Sequence, residues 1–238
     1  MAITTFRLFN KGLSTILLSL LLLPGAQAAG MVPQTPVLIV DQGVGEATMN
    51  VRNTDAHPAL LYTQIENLSD NDRLLLIPTP TVTRVEGGDV QQVRFLLQSA
   101  EPLREERLKR VIFEGINPVA DEQGARVSLG VRQNLPVILR PANLPVEREP
   151  WKRLRWSIAS DGLHVSNPSP YVVRLAKTLV MLPGQLQVDL PRTYLLPGDE
   201  LTLSLRPADA PAISGVRLFP ATTYGFAVEH FDAALVAP

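Results

Sequence analysis

From residue 36 onward, apolar and polar side chains alternate along most of the chain with the two-residue period of half-buried β-strands. In Ala47-Thr48-Met49-Asn50-Val51-Arg52 every second side chain is apolar. Pro36–Val40 is a short apolar run closed by Asp41-Gln42-Gly43. Leu60–Ile65, Leu74–Ile77, Thr81–Val85 and Val90–Leu97 follow, with turn residues between them. Arg110–Ile116 and the long run Ala125–Leu139 complete a first set. Glu101–Lys109 has a helical composition but is too short for a packed helix, and reads as a charge-rich connection. Pro141-Ala142-Asn143-Leu144-Pro145 and Glu147-Arg148-Glu149-Pro150 then break the pattern; the fixed φ of the prolines makes this a short, stiff linker. Alternation resumes in Leu154–Ile158, followed by an Asp161-Gly162 hairpin turn and Leu163–Ser166. Tyr171–Leu182, Gln185–Leu190, Leu201–Leu205, Val216–Phe219 and Tyr224–Phe231 complete a second set. Short strands separated by turn signals predict an all-β fold of two sandwiches.

The first thirty residues do not share this pattern. Arg7 and Lys11 precede an apolar stretch from Leu13 to Leu23, followed by Pro24-Gly25 and Ala26-Gln27-Ala28. A basic flank, a short apolar run and a small-x-small site make a secretory signal peptide. The run is well short of the ~20 residues that span a bilayer, and no later segment is apolar enough to do so, so stable membrane insertion is not expected. The expected organisation is a signal peptide over residues 1–28, cleaved near Ala28, a first domain over 29–141, a linker over 142–150 and a second domain over 151–238.

Composition narrows the function classes. The 238 residues are 45% hydrophobic and 19% charged, too apolar for a disordered chain. Without Arg7 and Lys11 the chain carries 20 basic against 23 acidic residues, which gives no general attraction to nucleic acid. The absence of cysteine excludes a disulfide framework, a Cys-ligated zinc and a thiol nucleophile. His57, His164 and His230 are too scattered for a metal-ligand set. No nucleophile elbow, zinc-protease helix, P-loop or dinucleotide fingerprint occurs. Gly43-Val44-Gly45 sits between two predicted strands and reads as a turn. Glu105-Glu106, flanked by Arg104 and Arg107, reads as a salt-bridged surface cluster rather than an acid/base couple. No catalytic residue, metal or cofactor is expected, and the chain does not read as an enzyme.

One strand stands apart. After Asp121-Glu122-Gln123-Gly124, the run Ala125-Arg126-Val127-Ser128-Leu129-Gly130-Val131-Arg132 places Val127, Leu129 and Val131 on one face, and Arg126, Ser128, Gly130 and Arg132 on the other. Periodicity alone is satisfied by a sandwich strand with its aliphatic face inward. The small Ser128 and Gly130 allow the converse, in which that side lies against another layer and the aliphatic residues project along an open edge. An exposed apolar edge is an aggregation hazard unless it serves to add a strand to another protein's sheet.

The order of several motifs resembles the periplasmic chaperones of the chaperone–usher pilus pathway. They are the alternating strand leading into Leu135-Pro136-Val137-Ile138-Leu139-Arg140-Pro141, Val93-Arg94-Phe95 in the first domain, and Asn167-Pro168-Ser169-Pro170-Tyr171 and Leu196-Pro197-Gly198 in the second. The resemblance covers essentially the whole mature chain. It implies two immunoglobulin-like domains arranged as an L or boomerang. It also implies a periplasmic location, pilus or fimbrial subunits and an outer-membrane usher as partners, and donation of strand G of the first domain to an incomplete subunit. Carried onto this sequence, Val127, Leu129 and Val131 would fill the subunit's groove, and residues 117–124 would contact the subunit. Glu106 and Arg140 fall where the family keeps an interdomain salt bridge. The family also grips the subunit's terminal carboxylate with an Arg on the first strand and a Lys near the end of strand G; Val37 and Pro136 stand at those positions. Arg132, on the strand parity of Pro136, is the candidate substitute anchor. The family's acidic residue near the C-terminus is here Thr223, in Thr223-Tyr224-Gly225.

Two other classes compete. A structural pilus subunit or adhesin built of tandem sandwiches would need an alternating N-terminal extension, where only Gly30–Thr35 precedes the first run. A carboxylate-based glycan hydrolase would need paired acids facing a cleft. The sequence leaves open whether the free chain self-associates.

Overall fold

The computed structural model describes residues 30–69, 74–117, 131–205 and 213–236. The first domain contains β1 (Met31–Pro33), β2 (Leu38–Asp41), β3 (Glu46–Asn53), β4 (Ala59–Asn67), β5 (Leu75–Thr79), β6 (Val82–Val85), β7 (Val90–Gln98), β8 (Arg107–Ile116) and β9 (Arg132–Arg140). These form a four-stranded sheet in the order β1-β3-β7-β5 and a five-stranded sheet in the order β2-β9-β8-β4-β6. The alternation of β3 is visible as burial: Met49, Val51 and Asn53 are buried while Thr48 and Arg52 are exposed. Their sheet packs on Val111, Phe113, Val137 and Leu139 of the other, with Phe95 and Phe113 meeting edge to face at 6.3 Å. Asn53 is a polar residue on the buried parity. Its Nδ2 donates to the carbonyls of His57, at 2.9 Å, and Val85, at 3.0 Å, which satisfies the amide inside.

The second domain contains β10 (Arg155–Ala159), β11 (Gly162–Ser166), β12 (Val173–Leu175), β13 (Thr178–Leu182) and β14 (Leu186–Asp189). It continues with β15 (Tyr194–Leu195), β16 (Glu200–Leu203), β17 (Gly215–Leu218), β18 (Pro220–Ala221) and β19 (Phe231–Ala234). Sheets β10-β11-β16, β15-β12-β18 and β14-β13-β17-β19 enclose a core that includes Trp156, Leu163, Leu179, Leu195 and Leu218. Gly162 closes the β10–β11 hairpin with φ +140°, and a Cβ there would lie 2.2 Å from the Leu203 carbonyl oxygen. No side chain fits at that corner.

Several elements differ from the sequence reading. β1 occupies residues expected only to precede the first strand, and β8 starts three residues earlier than expected, at Arg107. Tyr171–Leu182 is not one strand. Consecutive exposed residues Ala176 and Lys177 break its phase, so β12 and β13 belong to different sheets. Of Tyr224–Phe231 only Phe231 is in a strand; Thr222–Gly225 is a turn closed by the Gly225 N–H donating to the Thr222 carbonyl at 2.8 Å. No helix among the described residues is long and apolar enough to cross a membrane.

Candidate functional site

Two features of the first domain converge on the second: an incompletely paired strand and a buried carboxylate. β9 runs antiparallel to β8 on one side, paired from Arg107↔Leu139 to Glu114↔Arg132. On its other side it meets β2 in parallel, and only from Val137 to Arg140. Residues Arg132–Pro136 therefore have no strand partner on that side among the described residues.

The predicted site residues on this strand divide into two groups. Val127 and Leu129 lie outside the described residues, as do residues 118–124. Val131 is half-buried and shares the strand parity of Leu135, Val137 and Leu139, which pack in the first core. A Cβ on Gly30 would lie 3.5 Å from the Val131 Cβ. Val131 thus follows the inward face of its own strand, not the outward one. Arg132 is exposed and pairs across the strands with Glu114 at 3.3 Å. Val37 is not near solvent. Together with Leu108, Ile138 and Val172 it forms an apolar cluster that joins the two domains.

Glu106 is buried, at 3% exposure, and so is no part of a surface cluster; the exposed pair there is Glu105 with Arg107, at 3.3 Å. The Glu106 Oε1 accepts from Arg140 Nε at 3.4 Å, and Oε2 accepts from the Val172 backbone N–H at 2.9 Å. Its own N–H donates to the Pro170 carbonyl at 2.8 Å. The ion pair itself lies within the first domain; the backbone bonds to Pro170 and Val172 are what cross between domains. Burial pushes the Glu106 carboxyl above its ordinary pKa, and the Val172 N–H and Arg140 only partly oppose this.

The turn that presents those backbone groups is built by Asn167. Its side chain is inaccessible and donates to the carbonyls of Tyr171, at 2.8 Å, and Leu196, at 3.1 Å. Its Oδ1 accepts from the Ser169 hydroxyl at 2.6 Å. The Asn-Pro-Ser-Pro-Tyr segment is thereby folded into a turn that presents the Pro170 carbonyl and the Val172 N–H to Glu106. Thr223, at the position of the family's acid, brings no carboxylate. Its hydroxyl donates to the Glu147 carbonyl of the linker at 2.8 Å, and its own carbonyl accepts from Arg174 Nη2 at 3.3 Å. Gly225 in the same turn has φ +91°, and a Cβ there would come within 2.7 Å of Pro36 Cγ in the first domain.

Residues 30–145 match the family model described as the pili and flagellar-assembly chaperone, PapD N-terminal domain, and residues 149–231 match that of the pili assembly chaperone PapD, C-terminal domain. The chain belongs to the pilus-assembly chaperones. This chaperone is 48% identical over 200 residues to an uncharacterized fimbrial chaperone, YhcA, of Escherichia coli K12, covering 84% of this chain and 88% of the relative. It is 26% identical over 147 residues to the chaperone protein HifB of Haemophilus influenzae, covering 56% and 61%. Among solved structures, its fold superimposes on that of Salmonella enterica SafA pilin in complex with the SafB chaperone, with a TM-score of 0.72 at 19% identity, covering 89% of this chain and 99% of the other. It also superimposes on the Pseudomonas aeruginosa CupB2 chaperone, with a TM-score of 0.69 at 21% identity, covering 86% and 100%. The two-domain all-β fold is that of these chaperones, and its role is fimbrial assembly within the chaperone–usher family. Neither Arg110 nor Arg174 of this chaperone stood out in the sequence. One arginine on β8 and one on β12 have no spacing signature, and only the folded chain brings them to the lining of one cavity.

Proposed function

We propose that this protein is exported to the periplasm, binds pilus or fimbrial subunits by lending them strand β9 and the residues before it, and delivers them to an outer-membrane usher. It needs no catalytic residue, metal or nucleotide for this. The open edge of β9 at Arg132–Pro136 carries the reading. Unpaired N–H and C=O groups on a strand edge are a template for pairing with another chain. The alternation of Val127, Leu129 and Val131 continues the parity of Val137 and Leu139, so donation extends the row of core residues into the subunit's groove. Each such side chain contributes roughly 1.5–3 kcal/mol when buried, as an upper figure. Chaperones of this fold have been solved in complex with a pilin and with a tip adhesion subunit, which supports subunits as the cargo. In this reading residues 1–28 are removed on export, 29–141 form the subunit-binding domain, 142–150 the linker and 151–238 the second domain. Glu106, oriented by Arg140, holds the two domains in register through its bonds to Pro170 and Val172.

The double substitution Val127→Glu and Leu129→Glu tests it. The variant is expected to fold, with unchanged circular dichroism and melting temperature, and to lose co-purification of subunits from periplasmic extracts. Undiminished co-purification would remove this strand from the interaction. A variant that cannot fold would place both residues in the chaperone's own core and overturn the reading.

A further inference from the structure

Among the described residues of the linker and second domain, the exposed large apolar and aromatic side chains are Val146, Tyr224, Phe226 and Val236. The first three gather at one place. Phe226 is 69% exposed and Tyr224 46%. The Thr223 hydroxyl, donating to the Glu147 carbonyl at 2.8 Å, ties the turn to the linker, and Tyr224 and Val146 each adjoin one end of that bond. Gly225, between the two aromatic residues, lies against the exposed Pro36 of the first domain. The backbone holds Phe226 in the turn: its N–H donates to the Thr222 hydroxyl at 3.1 Å, and its carbonyl accepts from the Thr222 N–H at 2.8 Å. Its ring is left out of that bonding. Single exposed apolar residues are ordinary, but two aromatic rings and a valine grouped beside an exposed proline make a surface whose burial a partner would favour.

The open edge of β9 indicates the partner. β2 leaves Arg132–Pro136 unpaired because the chain before it turns away to the other sheet, where the Gln34 N–H donates to the Asn50 carbonyl at 2.8 Å. Pro36, beneath the Gly225 turn, belongs to that departing segment. A cavity of about 350 Å³ is shared by the two features. Pro136, at the end of the open edge, lines it together with Arg110, and Arg174, Gly225 and Ala227 line it from the second domain. A chain paired along Arg132–Pro136 therefore runs towards the Tyr224–Phe226 turn. We propose that Tyr224 and Phe226, with Val146 and Pro36, form a second docking surface for the subunit paired to β9, one that receives apolar side chains from the subunit's folded body. It rests on the strand-lending reading for the identity of the docked chain. Edge pairing uses main-chain groups that every strand carries, whereas this surface reads side chains, so it discriminates among subunits where the edge does not.

The experiment uses the complex of the mature chaperone with a co-purifying subunit, identified as a pilin by mass spectrometry. Its dissociation after dilution is followed by size-exclusion chromatography. Phe226→Ser is expected to speed dissociation about tenfold, and Tyr224→Ser to act in the same direction. Val236→Ser, equally exposed but outside the patch, should leave the rate unchanged, and all three variants should melt as wild type does. A photoreactive p-benzoylphenylalanine in place of Phe226 identifies the occupant. Irradiation of periplasmic extracts should give an adduct with the same pilin, and none when Val127→Glu and Leu129→Glu are also present. Dissociation of Phe226→Ser at the wild-type rate would overturn the surface, as would an adduct with a second copy of the chaperone or with the usher in place of the pilin. An adduct with the pilin that persists beside Val127→Glu and Leu129→Glu would overturn the strand-lending reading and keep the patch as a subunit contact. A pilin that co-purifies with the chaperone yet gives no adduct at 226 would overturn the patch alone, so the two failures are told apart.

Discussion

At the scale of single residues, the Glu106–Arg140 pair shows why a buried ion pair need not be a net source of stability. Both side chains are largely out of water, at 4% and 9% exposure, and the carboxyl is raised because burial outweighs its partners. What Glu106 supplies is geometry, since its second oxygen receives the Val172 N–H from the other domain. The raised pKa fixes the sign of its pH dependence. The folded protein holds this proton more tightly than the unfolded chain, so the contribution of Glu106 is fully present below the unfolded value of about 4.3 and is lost as pH rises through the folded one. The melting temperature of wild type should therefore fall relative to that of Glu106→Gln as pH rises through that window. A constant difference would mean that Glu106 does not titrate there. Arg140→Ala should cost ~3–5 kcal/mol near neutrality by stranding a buried carboxylate, and visibly less in acid, where Glu106 is protonated.

At the scale of elements, the Asn167 turn connects a recognisable sequence motif to the domain contact. Asn167→Ala removes donors to the Tyr171 and Leu196 carbonyls and the acceptor for Ser169 while leaving those groups buried. Chemical denaturation should register a loss of at least ~2 kcal/mol, with Ser169→Ala costing less because it deletes one short bond to Asn167 and a long one from the Tyr171 N–H. Such turns, and strands like β3 with one wet face, are legible in a sequence because a short stretch of chain determines them. β12 and β13 were not, because the two exposed residues between them look like ordinary polar positions. The break is enforced instead by distant partners: Leu175 N–H bonds the Thr193 carbonyl at 2.9 Å, and Ala176 N–H the Phe219 carbonyl at 2.8 Å. β1 was hidden for the same reason. Its three residues are strand only because Met31↔Asn53 through Pro33↔Val51 pair with β3.

At the scale of the whole molecule, the Val37 cluster, the Glu106 bonds and the cavity lined by Arg110 and Arg174 all lie where the domains meet, which is where a linear reading is weakest. Glu106 and Val172 are 66 positions apart, and Arg110 and Arg174 are joined by no local pattern. Val37 shows the consequence most directly. Read as a lost cation, it is in the fold a member of the apolar cluster with Leu108, Ile138 and Val172. Each domain has a separate core of its own, so each can retain its fold if the junction fails. Among the described residues the junction includes this small cluster, the Glu106 bonds and the approach of the Gly225 turn to Pro36. Val37→Asp places a charge in the cluster from a residue that precedes β2, outside either sandwich core. Burying an unpaired carboxylate there costs more than the roughly 1.5–3 kcal/mol that the valine contributes, so the domains are expected to separate rather than retain the contact. Scanning calorimetry should then resolve two transitions, against a single one expected for wild type, with the amide spectra of residues far from the junction unchanged. A single transition in the variant would assign the coupling to the Glu106 bonds alone. In that case Glu106→Ala, not Val37→Asp, would be the substitution that divides the unfolding.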